Sequence, residues 1–156
     1  MKAIVWAITA TILVLSNAAA LAETYTRGAV SIIDPWSRET PPGVSRGVAY
    51  MMITNHGDSV VTLTGAKTTR AGDVTLHQSR MKGDLVTMEY VEGGLTIAAG
   101  ETVALEPRGY HFMLDDLDRA LVRNESVAMT VFFDGADAVD INVRVKSLGD
   151  MDHMDH

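Results

Sequence analysis

Residues 127–146 read VAMTVFFDGADAVDINVRVK. In the first half, Val127, Met129, Val131 and Phe133 alternate with Ala128, Thr130 and Phe132. In the second, Val139, Ile141, Val143 and Val145 alternate with Asp140, Asn142, Arg144 and Lys146. A period of two sends successive side chains to opposite faces of a strand, so each run has one continuous apolar face. Between the runs, Asp134-Gly135-Ala136-Asp137 supplies turn residues, and the whole stretch reads as an antiparallel hairpin.

Outward from this hairpin the same pattern recurs in shorter runs, at 47–54, 60–67, 74–78, 85–91, 102–106 and 111–114. No stretch keeps a helical period. About eight short strands with one wet face each must bury the other face against a second sheet, which implies a single all-β domain, a sandwich or a small Greek-key barrel. Pro35, Pro41, Pro42 and Pro107 are expected between strands, where a missing N–H does no harm.

The ends of the chain read differently. Lys2 is followed by an apolar stretch over residues 3–15, and Ala20-Leu21-Ala22 has the small-x-small form of a signal-peptidase site. Residues 1–22 are therefore expected to be a cleaved export signal, residues 23–148 the β-domain, and residues 149–156 a flexible Met- and His-rich tail. The expected address is the periplasm, with no membrane insertion after cleavage.

Composition removes several functions. The 156 residues include no Cys, which excludes disulfides, thiolate metal centres and a Cys nucleophile. A formal charge of −7 gives none of the basic footprint that nucleic acids require. There is no Gly-x-Ser-x-Gly elbow, no phosphate-binding glycine loop and no His-Glu-x-x-His, and Asp115-Asp116 beside Leu117-Asp118 reads as a solvated turn, so no enzyme is expected.

Soft-metal chemistry must then use Met sulfur, and the placement of Met and His is informative. If residues 74–91 form a hairpin centred on Lys82-Gly83, His77 lies directly opposite Met88. His111 and Met113, two apart on a strand, share a face. Two His-Met pairs make an N₂S₂ set of neutral donors, which favours Cu(I); zinc would draw on Cys, His or carboxylate, and a blue-copper centre needs a thiolate. Such an uncompensated ion belongs at a rim near solvent.

The other candidates have plainer readings. Met51, Met52 and Met129 are expected to fill the core, and His56, in the turn Asn55-His56-Gly57-Asp58, to be a satisfied polar residue. Met81 reads as loop filler beside His77, with a fifth, transient sulfur ligand as the alternative. The tail residues Met151, His153, Met154 and His156 either hold metal or are simply solvated.

The run from His77-Gln78-Ser79-Arg80-Met81 through Met88 to Pro107-Arg108-Gly109-Tyr110-His111-Phe112-Met113 resembles the periplasmic copper chaperone family PCu(A)C. That family carries a His, ten residues, a Met, about twenty-one residues, and a final His-x-Met. Here the second gap is one residue longer, and the Gly93-Gly94 turn can absorb it. Asp34-Pro35-Trp36-Ser37-Arg38, Pro41-Pro42-Gly43, Ala49-Tyr50 and Thr54-Asn55 are similar to the family's N-terminal strands. Ala98 departs from a frequent Pro, and Arg108 from a frequent Gly.

The resemblance implies a cupredoxin-like Greek-key β-fold and Cu(I) held by His77, Met88, His111 and Met113. It also implies delivery to the CuA centre of cytochrome c oxidase, through an oxidase subunit or its assembly factor. The tail resembles metal-binding extensions, some of which hold Cu(II). The competing expectation is a periplasmic β-sandwich interaction module without metal.

Overall fold

The protein was analysed as a computed structural model, which describes residues 22–147 and Gly149. The expectations for the export signal and for Met151, His153, Met154 and His156 therefore lie outside the described residues. Eleven strands run in chain order as β1 (Thr24–Arg27), β2 (Val30–Arg38), β3 (Gly47–Asn55), β4 (Val61–Lys67), β5 (Ala71–Lys82), β6 (Leu85–Tyr90), β7 (Leu95–Ile97), β8 (Thr102–Leu105), β9 (Tyr110–Leu117), β10 (Ser126–Asp134) and β11 (Val139–Lys146).

They form one sheet in the order β6-β5-β9-β8-β3-β2-β11-β10-β4-β7, with β1 added on β2. The sheet curls until β4 comes to lie against β5. The result is an all-β barrel around a single core. No helix of the described residues is long and apolar enough to cross a membrane.

The 127–146 hairpin forms as its alternation requires, with Val127 facing Val143, Met129 facing Ile141 and Val131 facing Val139. Val127, Met129, Val131, Val139, Ile141, Val143 and Val145 are all buried and join Ile32, Met51, Ile53, Leu63, Phe112 and Leu114 in the core. Each fully buried aliphatic or aromatic side chain contributes about 1.5–3 kcal/mol by leaving water.

Three strands are absent from the reading of alternation, although the family resemblance covers Asp34 to Arg38 of β2. β1 lacks an apolar alternation, and β7 has only three residues. β2 is disguised by Pro35, which lies inside a strand and not between strands as expected. Its register on β3 shifts between Ile33 and Trp36, so Asp34 and Pro35 form a bulge, where the missing Pro N–H is tolerated. Asp34 takes a left-handed φ of 46° there, with Lys146 on its carboxylate at 3.2 Å.

Two further corrections concern residues close to the site. Asp115, Asp116 and Leu117 are not a solvated turn; they continue β9, where Arg46 pairs with Asp115. Met52 is not core but 46% exposed, whereas Met51 and Met129 are buried as expected. His56 is a satisfied polar residue, its ring 3.0 Å from the Ser31 hydroxyl.

Candidate metal centre

The β5–β6 hairpin closes on Gly83-Asp84, one residue later than expected. Lys82 faces Leu85, Ser79 faces Met88 and His77 faces Tyr90. The cause is turn chemistry. Gly83 has φ of 62° at the first central position and Asp84 has no positive φ. A turn centred on Lys82-Gly83 would instead force lysine into the left-handed region. Met88 is thus the diagonal neighbour of His77, not its direct partner. A shift of two positions in pairing preserves the face, so His77 and Met88 still point to the same side.

β9 pairs with the other edge of β5, and there His77 directly faces His111 while Thr75 faces Met113. The two imidazoles stack, with ring centroids 5.9 Å apart and planes 24° from parallel. All four expected ligands therefore occupy one face of the β6-β5-β9 sheet. That face is the outer one, because the intervening Leu76, Phe112 and Leu114 belong to the core cluster.

Burial across the site is graded. His111 is 2% exposed, Met113 8% and Met88 57%, with His77 intermediate. Met113 and Tyr50 are buried apolar side chains that nevertheless stand apart from the core cluster.

The hydrogen bonds fix the imidazoles. His111 Nδ1 lies 3.2 Å from the Gly109 carbonyl oxygen, which can only accept, so Nδ1 carries the proton and Nε2 keeps its lone pair. His77 Nε2 lies 2.9 Å from the Thr75 hydroxyl. Among the described residues, three side-chain N or O atoms are buried without a partner: His77 Nδ1, His111 Nε2 and Arg38 Nε. A buried polar atom left unpaired costs about 1–3 kcal/mol, so the two orphan imidazole nitrogens suit an external ligand.

Burial pushes the His111 pKa below the ordinary imidazole value; the Gly109 hydrogen bond opposes this and the neighbouring His77 adds to it. Its ring is neutral at pH 7, as metal binding requires.

The Gly109 carbonyl also accepts from the Ser79 N–H at 3.0 Å, tying the loop before β9 to β5. That loop is a turn in which Gly109 N–H donates to Glu106 at 3.0 Å, with Pro107 and Arg108 in the middle. Arg108 has φ of 68°, the position where a type II turn calls for Gly.

Aromatic residues that sequence reasoning left without a role at the site surround it. Tyr50 lies 6.5 Å from the His111 ring and packs at a tilt against Trp36, with centroids 4.6 Å apart. Tyr90 meets His77 edge-on at 6.0 Å. Burial raises the Tyr50 pKa, while the Arg38 guanidinium 5.8 Å from its ring acts in the opposite direction. No sequence spacing joins these rings; they come from β2, β3 and β6, and only the strand order brings them into one row.

The donor set is unlike a hard-metal site. Among the described residues no three His, Cys, Asp or Glu side chains converge. Two imidazoles and two thioethers on one face are neutral and soft, which fits Cu(I).

The profile of the family described as "Putative lipoprotein LpqE-like" matches residues 30–145. The solution structure of CuI-DR1885 from Deinococcus radiodurans is 31% identical and covers 72% of this chain and 74% of its own, with a TM-score of 0.58. The chain belongs to the LpqE-like, or PCuAC, family. Its fold is the cupredoxin-like barrel of PCuAC domains. The copper-bound PCuAC domain from PmoF2 is 25% identical, with a TM-score of 0.68 over 80% of this chain and 98% of that domain. A relative known as "Putative lipoprotein Lxx21020", from Leifsonia xyli subsp. xyli (strain CTCB07), is 28% identical over 117 residues, 75% of this PCuAC chain and 69% of the relative.

Proposed function

We propose that this protein is a Cu(I) carrier in which His77, Met88, His111 and Met113 hold one ion. The observation that carries this is the pair of unpartnered nitrogens, His77 Nδ1 and His111 Nε2, on stacked rings that share a face with both thioethers. The copper-bound PmoF2 domain and the Cu(I) form of the Deinococcus protein support the same reading.

Four neutral donors leave no open position on the ion for a substrate, whereas a catalytic metal keeps one. The protein acts by binding and releasing copper. Buried His111 and Met113 seat the ion on the protein side, and Met88 at the solvent edge is the donor nearest an acceptor. The acceptor in this proposal is a CuA-type centre of a respiratory oxidase, reached through an oxidase subunit or an assembly factor.

Residues 23–148 act as the copper-binding domain, released into the periplasm by cleavage after Ala22. In this scheme the Met and His residues of 149–156 offer a separate site for Cu(II).

The test is an anaerobic Cu(I) titration against a competing chelator. The mature chain is compared with a variant carrying His77→Ala, Met88→Leu, His111→Ala and Met113→Leu, each also prepared without residues 149–156. One tight equivalent that persists without the tail and vanishes in the variant is the expected result. Equal, weak binding in parent and variant would refute the carrier.

A further inference from the structure

The β5–β6 hairpin has two chemically opposite faces. On one, Gln78, Arg80, Lys82 and Glu89 are tied together: Arg80 reaches Gln78 at 2.8 Å and Glu89 at 3.3 Å, and Lys82 reaches Glu89 at 3.2 Å. On the other lie His77, Ser79, Met81, Val86, Met88 and Tyr90, as the register requires. The two cations are thus paired with Glu89 on the face away from the sulfur atoms, which weakens their repulsion of a bound cation.

Met81 is not the loop filler expected from sequence. It is a strand residue of β5, opposite Val86, and 68% exposed. Because Ser79 faces Met88, both His77 and Met81 are diagonal neighbours of Met88, one on the buried side and one towards the hairpin tip. Diagonal neighbours across an antiparallel pair sit about 7–8 Å apart, within reach of long side chains. Two flexible thioethers can close that gap around one soft ion.

Neither Met81 nor Met88 belongs to the core, so core packing does not account for a pair of exposed sulfurs on the hairpin that ends the sheet. Along the face, donor exposure rises in order through His111, Met113, Met88 and Met81.

We propose that Met81 is an exit ligand, which with Met88 forms a second, outer Cu(I) position from which copper leaves the protein. This rests on the carrier reading. In the step, a bond from copper to the Met81 sulfur forms as the bonds to the His77, His111 and Met113 donors break. Met88 stays bound throughout, so the ion is never released to water. No electron or proton is transferred; copper remains Cu(I) and the imidazoles leave as neutral ligands.

The test uses the full mature chain loaded with one Cu(I), mixed anaerobically with excess bathocuproine disulfonate in a stopped-flow instrument, with a parallel equilibrium titration. Met81→Leu keeps the size and exposure of the side chain and removes the sulfur. It is expected to slow copper transfer at least about fivefold, roughly 1 kcal/mol of barrier, while the equilibrium constant moves by no more than about twofold. Transfer at the parental rate overturns the exit ligand and leaves the carrier intact. A loss of affinity as large as that of Met88→Leu also overturns it, because Met81 would then be a resident ligand. Failure of the parent chain to hold Cu(I) in the titration would instead remove the carrier reading itself.

Discussion

Two hairpins of this barrel use the same strand geometry for opposite purposes. β10–β11 lies inside the strand order, between β2 and β4, and every second residue of β11 is buried. β5–β6 ends the order as an edge, and Met81, Leu85, Val86, Met88 and Tyr90 are all exposed. Apolar residues in the first hairpin are there because the core needs them. In the second, from Met81 to Tyr90, they lie outside the core: Met81 and Met88 carry sulfur, Tyr90 meets the His77 ring, and Leu85 and Val86 stand at the tip. An apolar alternation thus identifies a strand in both cases but a core face only where a second layer covers it.

Substitutions at matched positions sharpen this contrast. The largest effect is expected from Ile141→Ala, which leaves a cavity in the core and should cost about 2–5 kcal/mol in urea unfolding. Met88→Ala at the edge should change stability by no more than about 0.5 kcal/mol; comparable losses at both sites would break the contrast.

Copper affinity should show the reverse order. Met88→Leu is expected to weaken Cu(I) binding at least about tenfold, or ~1.4 kcal/mol, in a chelator competition, and Ile141→Val should leave it unchanged.

Arg108→Gly relieves a left-handed residue in the turn before His111. It should stabilise the fold by about 0.5–1 kcal/mol, the backbone relief being partly offset by the added freedom of glycine when unfolded. A rise in melting temperature without loss of copper affinity checks it.

The smallest effect is that of pH. Because the His111 pKa is lowered by burial, its proton is bound more weakly in the folded than in the unfolded chain. Its contribution to stability is complete above the ordinary imidazole value of about 6.5 and is lost as pH falls from there through the lower folded value. A ring resonance of His111 in the apo protein should titrate below 6.5; titration above it would contradict the burial seen for this ring.

Much of this molecule is legible in its sequence where local chemistry decides the outcome. Val139, Ile141, Val143 and Val145 mark their strand because alternation is a local property and the core accepts all four. His77, Met88, His111 and Met113 fall on one face because parity along a strand survives a register error. The pairing of His77 with Met88 was misplaced by two positions, since the turn is set by which residue must adopt φ above zero, and that residue is Gly83. Trp36 and Tyr50 join the site through the pairing of β3 with the distant β9, and Tyr90 through the corrected hairpin register, which sets it opposite His77. β2 was hidden because Asp34-Pro35 interrupts its pattern, although the bulge keeps it in the sheet.

The most direct measurement is copper X-ray absorption on the mature chain without residues 149–156, loaded with one equivalent of Cu(I). A first shell of two sulfur and two nitrogen scatterers, reduced to nitrogen alone when Met88 and Met113 are both replaced by leucine, is the expected result. A shell without sulfur, or one that the double replacement leaves unchanged, would contradict a thioether-and-imidazole Cu(I) site on the outer face of β6-β5-β9.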